Sequence, residues 1–225
     1  MLMLSTLRIQ VNPKIFVKDP ETSSLGRKIV ESGILLIDEL GFENFTFKKL
    51  GERIGSNESS IYRYFDSKHK MLVYLTCWYW GWAEYRITLA TANLPDPMEK
   101  LRAAVRVVTE PPADDVATQH IDERVLYRII VAEFTKTFHT KEVDDENKDG
   151  FFLIYKSVIN RISNIVSEVD PEYPYVKSLV STIVEGALHQ HFLAGHLKTI
   201  TSAGPDVRVS DFYIDLVERI LTKKP

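Results

Sequence analysis

Apolar residues along this chain recur mostly three and four apart, the spacing that lines one face of an α-helix. The most informative run is 46–65. Phe47, Leu50 and Ile54 form one stripe behind Thr46, a residue type whose side-chain oxygen caps a helix start. Gly55 follows where a short helix must turn, at a position that often needs positive φ. Ser56 and Asn57 are cap residues able to open a second helix at once. Ile61 and Phe65, four apart, bring that helix's apolar face back onto the first, and Glu58, Ser59, Tyr62 and Arg63 are left pointing outward. Two short helices, a tight turn with glycine and a polar outer face describe a helix-turn-helix. The same periodicity also suits an ordinary helical hairpin.

Helical spacing continues on both sides. Asp19-Pro20-Glu21 predicts a helix start with a cap, a proline at the first position and an early acid. Leu25, Ile29, Leu36 and Leu40 follow, and Gly41 closes that helix. Ser67 predicts the cap of a long helix from 68 to about 93, which carries all three tryptophans and ends at Leu94-Pro95-Asp96-Pro97. Further helices are expected over 98–108, within 114–139 as one or two pieces, and over 150–169, 175–197 and 209–221. The acidic stretch 140–150 reads as a solvated connector. No strand-rich region, repeat or low-complexity segment interrupts the pattern, so the chain is expected to be all-α. It divides into an arm (1–18), a helix-turn-helix unit (19–67) and a helical remainder (68–225).

Composition changes this picture in a few places. Of the 225 residues, 44% are hydrophobic, enough to build a core. The single cysteine, Cys77, excludes an internal disulfide framework and suits a reducing cytoplasm. No apolar run approaches the ~18 residues of a membrane span, and the first seven residues lack the basic n-region of a signal peptide. A net charge of −3 argues against a dedicated nucleic-acid binder, but the charge is uneven. Residues 1–70 hold 11 Lys/Arg against 9 Asp/Glu, while 71–225 hold 17 against 22. A basic end and an acidic remainder have the sign expected of a two-part DNA-binding protein. Within the arm, Arg8, Lys14 and Lys18 allow a minor-groove contact; a loosely ordered tail is the plainer alternative.

His189, His191 and His196 invite a metal reading, but neighbours two apart face different sides of a helix and partners seven apart are two turns away. No metal site and no cofactor is expected. Nor is there a nucleophile–base pair, phosphate loop or metal motif, so the chain is not expected to be an enzyme. An all-α enzyme whose hairpin has no DNA role is the rival reading, and a regulator acting through a protein partner without operator binding is a third.

The stretch from Gly55 to Lys68, ending Ile61-Tyr62-Arg63-Tyr64-Phe65-Asp66-Ser67-Lys68, resembles the signature of the tetracycline-repressor-like (TetR/AcrR) family of bacterial regulators. The signature is a glycine, a few small polar residues, an aliphatic residue followed by Tyr, then His or Tyr, Phe and, shortly after, Ser-Lys or Asn-Lys. The likeness covers roughly residues 25–72. Ser56 departs from it, since the family usually carries Val or a similar apolar residue there.

The resemblance implies an all-α fold in which an N-terminal three-helix helix-turn-helix DNA-binding domain precedes an α-helical ligand-binding and dimerisation domain. It implies a cytoplasmic homodimer, with no membrane partner, that binds double-stranded operator DNA as a repressor and is released by a small apolar or aromatic effector. On this reading Tyr62 and Lys68 hold the phosphate backbone, and Thr46 and Lys48 meet it from the second helix. Asn57, Glu58, Ser59 and Ser60, with Arg63, lie where bases are read, and Tyr64 completes the recognition surface. Glu58 either accepts from cytosine N4 or merely favours the helix N-terminus. The aromatic section of the long helix, with Trp78, Trp82 and Tyr85, is either core or, with His120, Tyr127 and Phe134, the lining of an effector pocket. Phe151, Tyr155, Val158, Ile162 and Ile165, with Val180, Ile183 and Ala187, are expected at a two-fold interface. The first helix carries more apolar surface than one neighbour needs, and the second carries small residues.

Overall fold

The computed structural model describes residues 9–112 and 120–222. Arg8, the rest of the arm before residue 9, and residues 114–119 of the expected helix lie outside the described residues. Among those described there are ten α-helices, four short 3-10 turns and no strand. The helices are α1 (Ser24–Leu40), α2 (Phe47–Ile54), α3 (Glu58–Tyr62), α4 (Lys68–Thr91), α5 (Pro97–Thr109), α6 (Glu123–Glu133), α7 (Val143–Lys148), α8 (Leu153–Val169), α9 (Val176–His196) and α10 (Val209–Thr222). They fall into two compact units, Met1–Gly81 with Pro112–Leu153, and Trp82–Pro111 with Ile154–Pro225. Helix α4 supplies its first part to one unit and its last part to the other.

In the first unit α1 packs on α2 and on α6, and α2 packs on α3. Its core includes Ile29, Leu50, Ile61, Phe65 and Met71, each with no exposed surface. Burying side chains of this size is worth about 1.5–3 kcal/mol apiece. Helix α1 starts later than the sequence predicts. Asp19 caps only the 3-10 turn Pro20–Thr22, accepting from the Glu21 amide at 2.9 Å. The chain then extends at Ser23, whose hydroxyl accepts from Gly26 N at 3.0 Å and caps α1 proper. The acidic segment expected as a solvated connector contains α7. Its Glu146 is buried, 3.1 Å from His69 Nε2 and 3.4 Å from Lys70 Nζ at the start of α4, so polar partners distant in sequence meet a segment that composition reads as loop.

In the second unit α5 packs on α9 and α10, and α9 on α10. Asp96 caps α5 through the Glu99 amide at 2.8 Å. Arg102 Nε donates to Glu218 of α10 at 2.6 Å, and His191 Nε2 of α9 lies 2.7 Å from the carbonyl oxygen of Thr109 at the end of α5.

Candidate DNA-binding interface

The α2–turn–α3 unit is set by the cap and inner face of α2 and by two glycines. Thr46 Oγ1 accepts from Lys49 N at 3.2 Å and starts α2. Phe47, Leu50 and Ile54 are buried along its inner face. Gly55 takes the left-handed conformation (φ 69°, ψ 35°), where a Cβ would be strained. Gly51 matters for a different reason. A Cβ there would lie 2.9 Å from the Ser56 carbonyl oxygen and 3.3 Å from the backbone of Asn57 and Glu58, so the turn folds directly over it. Ser56 N closes the turn on Gly51 O at 2.9 Å.

Asn57 starts α3 and organises its first turn. Its Oδ1 accepts from Ser60 N at 2.9 Å, Ser59 Oγ at 2.8 Å and Ser60 Oγ at 2.7 Å. The carbonyl end of Asn57 is therefore committed to the cap, while its amide protons and the hydroxyl lone pairs of both serines remain for a ligand. Glu58 sits half-buried in the first turn of α3, where a carboxylate favours the helix N-terminus. Tyr62 is 48% exposed, with its ring set edge-on against Phe47 at 5.0 Å, which leaves the hydroxyl on the outside. Lys48 and Arg63 are exposed.

Two residues expected on this face point elsewhere. Tyr64 is buried, and its hydroxyl lies 2.8 Å from Ser23 Oγ, because the end of α3 docks against the start of α1. Lys68 Nζ donates to the carbonyl oxygens of Phe42, Glu43 and Phe45 at 3.0, 3.1 and 3.3 Å. Its three protons satisfy carbonyls of the α1–α2 connection that belong to no helix, so it binds protein backbone in place of phosphate.

Four of the six expected effector residues, Trp78, Trp82, Tyr127 and Phe134, are buried. Trp78, Tyr127 and Phe134 are buried in the first unit, where Trp80 meets Phe134 and Tyr79 meets Tyr127 ring to ring at 5.5 and 6.1 Å. Burial pushes the Tyr127 hydroxyl's pKa upward. Trp82 is buried in the second unit under the Arg86 guanidinium, and Tyr85 is exposed there. An aromatic run on a helix packed on several sides fills core. His120 lies 2.8 Å from Glu21 and lines a cavity of about 280 Å³ with Glu31, Ile34 and Asp122. Cys77 is buried, with its thiol pushed up to about 12 by desolvation.

The expected interface residues are likewise taken by the chain itself. Phe151, Val158, Ile162, Ile165, Val180, Ile183 and Ala187 are buried, and the Tyr155 hydroxyl donates to Glu185 at 2.8 Å. Phe151 precedes α8 and falls in the first unit; the other buried residues of this set lie on α8 and α9. Large apolar side chains stand exposed instead at Leu197, Ile200, Val207 and Phe212. No group of three metal-binding side chains occurs among the described residues, and no helix among them is long and apolar enough to cross a membrane.

Residues 29–75 match the family model for bacterial regulatory proteins of the tetR family. No curated protein sequence matches the chain. Among solved structures, a tetR-family regulatory protein from Rhodococcus RHA1 is similar at TM-score 0.60 and 16% identity, over 90% of this chain and all of that one. The ketosteroid transcriptional regulator KstR2 of Mycobacterium tuberculosis is similar at TM-score 0.54 and 16% identity, over 96% of this chain and all of that one. AibR in complex with isovaleryl coenzyme A and operator DNA is similar at TM-score 0.56 and 14% identity, over 88% of this chain and all of that one. Residues 29–75 are thus a tetR-family DNA-binding domain, carried on an all-helical chain with the fold of tetR-family regulators.

Proposed function

We propose that the protein is a transcriptional regulator that binds operator DNA through the outer face of α2 and α3, acts as a homodimer, and releases DNA when a small effector binds in its C-terminal half. The observation that carries this reading is the solvent-facing set Lys48, Asn57, Ser59, Tyr62 and Arg63, held by a turn whose caps and inner face are fully satisfied within the protein. Lys48 and Tyr62 hold phosphate. Arg63, the amide protons of Asn57 and the hydroxyl lone pairs of the two serines read bases. The functional division falls at 67/68, a different cut from the packing division, because α4 begins beside the interface and ends in the second unit.

The effector site we favour is a cavity of about 520 Å³ in the second unit. It is walled by Glu84 and Thr91 of α4, Lys100 of α5, and Ser157, Asn160 and Arg161 of α8. Its lining is polar and charged, so the effector carries hydrogen-bonding or ionic groups beside any apolar part. AibR in complex with isovaleryl coenzyme A offers a precedent for a bound ligand with both characters. Effector bound against Glu84 strains α4 near its C-terminal end, and one hydrogen-bonded helix carries that strain toward Lys68. A coupling of about 1–3 kcal/mol changes operator affinity 5–150-fold.

The test is selection of duplexes from a random pool, followed by affinity measurement. Arg63→Ala should relax sequence preference at a cost of about 1–3 kcal/mol. Lys68→Ala should lower the melting temperature while leaving the salt dependence of binding nearly unchanged. A protein that enriches no duplex, or an Arg63→Ala variant with unaltered preference, would remove this assignment.

A further inference from the structure

Ten lysines and arginines lie between residues 9 and 81. Lys14, Arg53 and Lys70 are paired with Asp149, Glu39 and Glu146. Arg27, Lys28, Lys49 and Lys68 donate to backbone carbonyls. That leaves three exposed cations with no acidic or carbonyl partner among the described residues: Lys48, Arg63 and Lys18. Two of them belong to the helix-turn-helix face. Lys18 lies thirty residues earlier in the chain.

The backbone places Lys18 beside Tyr64, the residue that follows Arg63. Residues 12–18 form a strap fastened at both ends. Asn12 caps the 3-10 turn Pro13–Ile15 through Lys14 N at 3.0 Å, and its Nδ2 donates to Asp149 O at 2.9 Å. Lys14 Nζ reaches Asp149 at 2.6 Å, and Ile15 is buried. Phe16 packs edge-on against Tyr74 at 6.1 Å. Val17 N then donates to Tyr64 O at 2.8 Å, so the strap ends alongside the residue that follows Arg63. The Lys18 ammonium sits 5.3 Å from the centre of the Tyr64 ring. A ring face orients a cation without neutralising it.

We propose that the strap presents Lys18 as a DNA phosphate contact beside Arg63, so that the DNA-binding surface continues from the helix-turn-helix onto the segment before α1. This rests on the DNA-binding reading above. Phosphate contacts position a protein on the duplex and carry no sequence information, so Lys18 strengthens binding to every duplex alike.

The experiment measures affinity for a 30-base-pair random-sequence duplex by fluorescence anisotropy between 50 and 200 mM NaCl. Each phosphate contact contributes about 0.9 to the slope of log affinity against log salt. Lys18→Ala and Lys18→Gln should each make the slope shallower by about that amount per protomer, and Lys18→Arg should restore it. Sequence preference in the selected pool should not change. Lys177→Ala, an exposed lysine on α9, serves as the control for net charge and should leave the slope as it was. If Lys48→Ala and Arg63→Ala flatten the slope and the Lys18 variants do not, the strap contact is overturned and the DNA-binding reading stands. If Lys177→Ala flattens it equally, the Lys18 effect is bulk charge and the contact is overturned. If the unaltered protein shows no salt-dependent binding to any duplex, both fall together.

Discussion

His191 shows how one side chain links structure to solution conditions. Its Nε2 faces the Thr109 carbonyl at the last turn of α5, an oxygen that has no partner within the helix. Burial disfavours the imidazolium and lowers the His191 pKa below its ordinary value near 6.5, while the carbonyl opposes that shift more weakly. The unfolded chain then binds a proton at a pH where the folded chain does not. The contribution to stability is complete above pH ~6.5 and is lost as the pH falls below it. The melting temperature should drop on acidification from pH 7 to 5. The drop should be smaller in His191→Gln, which keeps a donor without the titration. Equal pH slopes in the two proteins would show that His191 is not the titrating group. Lys68 makes the complementary point. A lysine that a motif places at phosphate is claimed by three carbonyls, because a side chain answers to its nearest unsatisfied groups.

At the scale of elements, the turn between α2 and α3 and the end of α9 give glycine opposite meanings. Gly51 lies under the turn, and its missing Cβ is the space that backbone atoms of Ser56, Asn57 and Glu58 occupy. Backbone cannot swing away as a flexible side chain would. Gly51→Val should therefore cost about 1–3 kcal/mol, as overpacking commonly does, and should weaken DNA binding by displacing α3. Gly195 in α9 has nothing within 4 Å of an added Cβ and no positive φ. Gly195→Ala should stabilise the helix by up to ~1 kcal/mol. Thermal melts of the two variants should move in opposite directions. A Gly51→Val protein that melts with the parent would mean that the turn relaxes freely.

For the whole molecule, the question is what covers the exposed apolar side chains. Leu197, Ile200, Val207 and Phe212 are 50, 66, 43 and 52% exposed within sixteen residues of sequence, and the last three line a cavity of about 430 Å³. Clustered exposed apolar groups mark interaction surfaces more often than isolated ones do. On the proposed reading of a two-fold operator, we assign this surface to a second copy of the chain. Ile200→Asp and Phe212→Asp should yield folded monomers in sedimentation velocity and weaken operator binding. Val158→Asp, in the core of the second unit, should instead unfold the protein. Dimers that survive both surface changes would move the interface elsewhere.

The positions of α2, Gly55 and α3, the burial of Phe47, Leu50, Ile54, Ile61 and Phe65, and the caps at Thr46 and Asn57 were all legible in the sequence. Caps, turns and apolar periodicity are local, so the chemistry that sets them lies within a few residues. The family signature at 55–68 is local in the same sense. Tertiary structure decided the rest. Periodicity shows that α8 and α9 each have an apolar face, but the face is covered whether the neighbour is the same chain or another, so it could not distinguish core from interface. The aromatic run of α4 carried the same ambiguity between core and pocket. The charged stretch around Glu146 became a helix because His69 and Lys70, more than seventy residues earlier, supply the partners. Which cations are paired was also a tertiary matter, because Asp149, Glu39 and the carbonyls of 42–45 reach their lysines and arginines only once the chain is folded.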